Sequence, residues 1–235
     1  MYMDVLIELL RNSGYGCNLH GVYIGCLCYA DDIVLISHSI YAMQCMLNIC
    51  EVFAGMLDVK FNSSKSVAMR VGSRFECKCA DLTLCGSVIS YVQSVKYLGV
   101  CFKAGKFMVC NFDQVKRKFY RAFNSIYSRS HSANSELVTV ELFKAYCLPV
   151  LLYAVEVLPL RASEFRSLDN CINVVVAKVF KLSTIDNVQA VRTMIGLYDI
   201  RSLVVKRRSR FLDNLDCVSL FQNYSVLHFC ICSLF

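Results

Sequence analysis

The sequence predicts an α+β fold in two parts: antiparallel hairpins plus helices over residues 1–105, then an all-helical basic region over 106–235. Three observations carry this. Before residue 105, short β-prone apolar runs alternate with turn residues and one long stretch of helical periodicity. After Lys106 the apolar residues recur at three- and four-residue steps. The charge divides near the same point: residues 1–102 hold seven Lys/Arg and eight Asp/Glu, and residues 103–235 hold eighteen and ten.

Met1 to Leu10 reads as a helix with Val5, Leu6, Leu9 and Leu10 on one side, followed by a turn from Asn12 to Asn18. The apolar runs Val22–Cys28 and Ile33–Ser37 flank Tyr29-Ala30-Asp31-Asp32 and read as a hairpin with the acids at its tip. Ser39 suits a helix N-cap, and Ile40, Met43, Leu47, Cys50, Ala54 and Leu57 then keep helical spacing until Gly55 weakens it. Val59–Phe61 and Val67–Val71 are strand candidates around the turn Asn62–Lys65. Leu82–Val88 and Ser94–Phe102 read as one further hairpin, with Gly86 and Gly99 as breakers. Four helices follow. The first has Val115, Phe119, Ala122, Phe123 and Ile126 on one face. The second spans Glu136–Leu152 and is bent near Pro149. The third carries Phe165, Leu168, Ile172, Val175 and Val179, and the fourth spans Ile200–Val218.

Composition excludes several classes. Apolar residues make up 56% and charged residues 18%, too apolar for a disordered chain. Two prolines exclude a Pro-rich linker. The richest apolar stretch, Ala145–Leu160, contains Pro149 and Glu156 and falls short of the roughly 20 residues a membrane span needs. No secretory leader pattern opens the chain, so an intracellular protein of nucleus or cytoplasm is expected. Fifteen cysteines include three C-x-C pairs, Cys26/Cys28, Cys77/Cys79 and Cys230/Cys232. None has zinc-finger spacing, and reduced, mostly buried thiols are expected. His20, His38, His131 and His228 have no triad or metal spacing, and Lys206–Arg210 reads as a solvated helix face. Val226–Phe235 resembles no anchor motif and reads as a readthrough tail from a truncated frame.

Asp31-Asp32 conflicts with simple packing, because ionised carboxylates are costly to bury unpaired. At a hairpin tip they reach solvent or a cation. Hard oxygen donors suit Mg²⁺, and two such ions clamp an in-line phosphoryl displacement. The bland alternative is an ordinary Asp-containing turn.

The string YADDIVLIS, a helix, FNSSKS and then KYLGVCF together resemble, in order and spacing, the palm of reverse transcriptases from non-LTR (LINE-type) retrotransposons. Tyr29–Asp32 resemble the Y-x-D-D hairpin, Asn62 and Lys65 the N-x-x-K segment, and Tyr97-Leu98-Gly99 the hairpin that grips the primer end. YMDVLIELL is similar to the helix after the family's Q-G motif, and the resemblance covers roughly residues 1–130. It implies a palm over 1–105, a thumb-like region over 106–235, and RNA-directed DNA synthesis from deoxynucleotides on an RNA template and DNA primer. Asp31 would bind Mg²⁺, Asp32 would assist, and Lys65 would act on the leaving pyrophosphate. Tyr29 would pack on the primer sugar, and Lys116, Arg117, Lys118 and Arg121 would track phosphates.

The match has gaps. The family's other catalytic aspartate lies on an earlier strand, and before Tyr29 this chain offers only Asp4 and Glu8. The expectation is a truncated palm and thumb fragment, inactive alone, with an exposed apolar hairpin edge unless a partner supplies the strand. The competing readings are a non-catalytic RNA/DNA-binding module and a structural protein in which Asp31-Asp32 only turn the chain.

Overall fold

The computed structural model describes residues 2–130, 135–214 and 230–234. The chain forms two compact units, Met1–Cys110 with Ser219–Phe235, and Asn111–Val218. Both parts have the expected character, antiparallel hairpins first and helices after. No described helix is long and apolar enough to cross a membrane.

The first unit opens with α1 (Tyr2–Asn12) and the small hairpin β1 (Asn18–Leu19) and β2 (Val22–Tyr23). Then come β3 (Cys26–Tyr29), β4 (Asp32–Ser37), α2 (Ile40–Met56) and β5 (Val67–Arg70). The hairpins β6 (Leu82–Leu84)/β7 (Ser87–Tyr91) and β8 (Ser94–Tyr97)/β9 (Val100–Lys103) follow, with the short β10 (Val109–Cys110). Ser39 caps α2 as its residue type suggests, accepting from the Ala42 N–H at 3.1 Å. The buried face of α2 is Met43, Met46, Leu47 and Cys50, which meets Leu6 and Leu10 of α1 and Ile33 and Leu35 of β4 in one core.

The six-stranded sheet has the order β3-β4-β11-β5-β7-β6, where β11 is Cys230–Leu234. The last described strand thus sits inside the sheet. It pairs antiparallel with β4 from Cys230↔Ser37 to Leu234↔Ile33, and with β5 from Cys230↔Arg70 to Ser233↔Val67. This corrects two expectations. The inner edge of the hairpin is not exposed, and this chain itself supplies the strand assigned to a partner. Strand pairing rewards an extended apolar segment at any sequence separation, and local pattern cannot reveal it. The rest of the Val226–Phe235 run lies outside the described residues. The far edge strand, β6, has its backbone satisfied by α2: Gln44 donates to the Thr83 carbonyl at 3.0 Å and accepts from the Thr83 N–H at 2.8 Å. Glu51 accepts from the Cys85 N–H. Such side-chain bonds blunt an edge that would otherwise invite pairing.

Local differences from the expected elements have plain causes. Leu82–Phe102 forms two hairpins rather than one, because Cys85-Gly86 and Leu98-Gly99 each close a two-residue loop with both φ values positive. X-Gly pairs suit such turns. The Val22–Cys28 run breaks at Ile24-Gly25, and β1–β2 turns through His20-Gly21 in the same way. Val59–Phe61 is not a strand; it leads into a turn built by Asn62.

The second unit comprises α3 (Asp113–Ser130), α4 (Glu136–Leu142), a π-helical segment (Phe143–Cys147), α5 (Leu148–Leu151), α6 (Ala162–Phe180), α7 (Ile185–Met194) and α8 (Ile200–Asp213). Phe119, Phe123 and Phe143 are fully buried, with edge-to-face ring pairs 5.9 and 6.3 Å apart. The expected bend near Pro149 takes the form of the π segment just before it. A proline lacks the N–H and crowds the carbonyl four residues back, so a wider turn relieves the clash. α7 is an additional helix, and any extension of α8 toward Val218 lies outside the described residues, as do His131 and His228.

Arg192 of α7 is 6% exposed and forms the unit's one described ion pair with a buried arginine. Its guanidinium grips both Asp169 oxygens at 2.9 Å, donates to Asn173 at 2.6 Å, and reaches the Tyr198 carbonyl at 2.8 Å. Asp169 also accepts from the Ile200 N–H at 3.1 Å, so α6, α7 and the start of α8 share one polar knot. Lys206–Arg210 is not simply a solvated face either: Arg207 donates to the Leu152 carbonyl and Arg208 to the Glu156 and Leu158 carbonyls.

Candidate functional site

The acidic hairpin is built by β3 and β4, whose last pair is Tyr29↔Asp32, leaving Ala30-Asp31 as a two-residue loop. The loop differs from the other three two-residue hairpins of the unit in lacking glycine. Ala30 alone has a positive φ, 51°. A Cβ in that region costs about 1–2 kcal/mol, and backbone strain of this sort collects at functional turns. Ala30→Gly removes the clash at the cost of some chain entropy. The expected outcome is a net gain of about 0.5–1 kcal/mol, read as a small rise in the urea midpoint of the first unit.

Asp31 and Tyr29 are exposed and Asp32 is half-buried. Below the tip the strand is apolar, with Ile33 and Leu35 in the core, so the carboxylates stand at the boundary of a dry layer. Tyr97 ends β8 next to the Leu98-Gly99 turn. Burial raises its phenol pKa first, and the Asp32 carboxylate raises it further, which brings Tyr97 and Asp32 into one electrostatic environment. Lys65 is exposed at the same end of the sheet. Val34, Ser233 and Val67 form one row across β4, β11 and β5. Asp32 opens β4 and Lys65 lies in the turn before β5, each two residues before that row. Asn62 sets the Lys65 turn: its side-chain oxygen accepts from the Lys65 N–H at 3.2 Å and from the Ser64 hydroxyl at 2.6 Å. Asn62 therefore acts on Lys65 through the backbone, as Asx turns do.

The basic residues of α3 divide in two. Arg117, Lys118 and Arg121 are exposed. Lys116 is turned into its own unit, 3.1 Å from Asp113 and 3.2 Å from the Ser167 hydroxyl. These residues belong to the second unit, and the hairpin belongs to the first.

The donor set does not fit a pair of divalent ions. Among the described residues no three His, Cys, Asp or Glu side chains gather to hold a metal. The strand next to β4 reads Cys-Ile-Cys-Ser-Leu and has no acid. Asp4, one of the two acids before Tyr29, acts on the Cys28 thiol of β3, from the α1 side of the sheet. Mg²⁺ is commonly held by one or two carboxylates with phosphates completing its shell. Asp31 and Asp32 meet that lesser requirement and no more.

Sequence reasoning missed the position of β11 next to this hairpin. The signal was the β-prone Cys230–Leu234 run itself, whose role depends on a gap elsewhere in the chain. No curated protein matches the sequence. With the hairpin, the Lys65 turn and the Tyr97-Leu98-Gly99 turn all lying within it, the segment of residues 1–102 matches the family model described as reverse transcriptase (RNA-dependent DNA polymerase).

Proposed function

We propose that this chain is a reverse-transcriptase-like palm fragment of the non-LTR retrotransposon type that holds template–primer but does not extend it. The observation that carries the reading is the family match over residues 1–102 with Tyr29-Ala30-Asp31-Asp32 at a tight hairpin tip inside it. RNA-dependent DNA polymerases stabilise a transferring phosphoryl group with fixed charge. Loss of a fixed charge from such a site costs orders of magnitude in rate. Asp31 and Asp32 remain as the metal-facing and assisting acids, Lys65 as the cation toward pyrophosphate, and Tyr29, Asn62 and Tyr97-Leu98-Gly99 as the primer side. With no third carboxylate gathered there among the described residues, weak Mg²⁺ affinity is expected. The proposed partners are an RNA template and DNA primer, in the nucleus or cytoplasm.

The second reading, a binding module without chemistry, places the affinity in the basic helical half alone and shares the same test. Phosphate contacts by exposed cations make binding fall steeply with salt. Binding of a labelled RNA–DNA hybrid, followed against salt, is expected to lose about one unit of log–log slope in Lys118→Ala. Lys116→Ala is expected to leave the slope unchanged, because its ammonium is held by Asp113 and Ser167. Equal effects from both variants, or no salt dependence, would remove the nucleic-acid reading.

A further inference from the structure

The Cys26 and Cys28 side chains of β3 lie on one face of the strand with their sulfurs 3.7 Å apart. Two metal–sulfur bonds of about 2.3 Å meeting at a tetrahedral angle place their sulfurs about 3.8 Å apart. The sulfur spacing therefore matches that of a chelated pair. Cys26 lies in the core and Cys28 is half-buried, so the pair has a dry side and an entry side. The contact between them pushes the Cys26 thiol pKa up and holds that of Cys28 below its ordinary value, leaving Cys28 the readier thiolate. The Tyr23 hydroxyl, buried without a hydrogen-bond partner, lies close enough to be affected by Cys26, which adds an unsatisfied oxygen to the neighbourhood. Of the other C-x-C pairs, Cys77/Cys79 lies off any strand, with Cys77 exposed, and Cys230/Cys232 lies on β11.

From this geometry we infer that Cys26 and Cys28 form a dithiol site for a thiophilic centre, trivalent arsenic. Soft thiolates select such centres. The site lies on the strand that leads to Tyr29, so an occupied site ties two positions of β3 together just before the acidic tip. It rests on the geometry of β3 and not on the polymerase reading.

Phenylarsine oxide is the probe. Both S–H bonds break, two As–S bonds form, and the arsenic-bound oxygen leaves with the two protons as water; arsenic stays trivalent. The native full-length chain is treated with one equivalent in excess monothiol, then digested and mapped by mass spectrometry. The expected product is a single adduct bridging Cys26 and Cys28, lost in Cys28→Ser and retained in Cys77→Ser. A first adduct on other cysteines, or one that survives Cys28→Ser, would overturn the proposal. If Cys28→Ser does not fold by circular dichroism, the position of the adduct on the unmodified chain decides alone.

Discussion

Ile231→Pro is expected to unfold the first unit while leaving the second intact. Ile231 sits mid-strand in β11, opposite Ile36 of β4 and Met69 of β5. A strand flanked on both sides uses each N–H in one ladder or the other, so proline removes a ladder bond wherever it falls and fits only edges or bulges. A ladder partner left unpaired in the sheet costs about 1–3 kcal/mol before any steric clash is added, and the cost falls on the element that joins β3–β4 to β5. Once β11 leaves, β4 and β5 each have an open edge. Hydrogen exchange by mass spectrometry should show lost protection in β4, β5 and α2, with α3 and α6 unchanged. Protection of β4 at the original level in Ile231→Pro would mean that β11 is dispensable to the sheet.

The second large effect lies in the helical unit. Arg192→Ala is expected to destabilise it by about 3–5 kcal/mol. The loss is not one surface ion pair but a buried guanidinium with Asp169, Asn173 and two backbone carbonyls among its partners. Removing it leaves a partly buried carboxylate with a single described backbone donor, Ile200. Arg192→Lys should recover little of the loss, since one ammonium cannot replace a planar fork held on both carboxylate oxygens. Denaturant unfolding followed through tyrosine signals is suitable, because the chain has thirteen tyrosines and no tryptophan. Two transitions are expected, and only the helical one should shift.

Some of this was legible in the residues and some was not. The acidic hairpin, α2 with its Ser39 cap, β5 and the buried faces of α3 and α6 follow from periodicity and capping, which act over a few residues. The small hairpin at His20-Gly21 was hidden because its strands are two residues each, too short for alternation to register. The π segment before Pro149 was visible only as a bend, since sequence marks the breaker and not the geometry that absorbs it. Arg192 gave no signal at all: its partners lie on other elements, and one arginine in a basic region looks like solvated charge. β11 was misread for a related reason. The run was read as a tail, because its place in the sheet depended on an unfilled slot between β4 and β5. In the candidate site, Asp31, Asp32, Lys65 and Tyr97 share one end of the sheet or one electrostatic neighbourhood, and Lys116 was counted among free cations although its ammonium is engaged.

Primer extension tests the central claim most directly. The full-length chain is incubated with an RNA template, an annealed DNA primer and deoxynucleotides, first with Mg²⁺ and then with Mn²⁺, next to an Asp31→Asn control. The account predicts template–primer binding without incorporation under either cation, and no difference between the chain and the control. Incorporation that is lost in Asp31→Asn would contradict it, and would mean that a complete metal site assembles around this hairpin from groups other than those described.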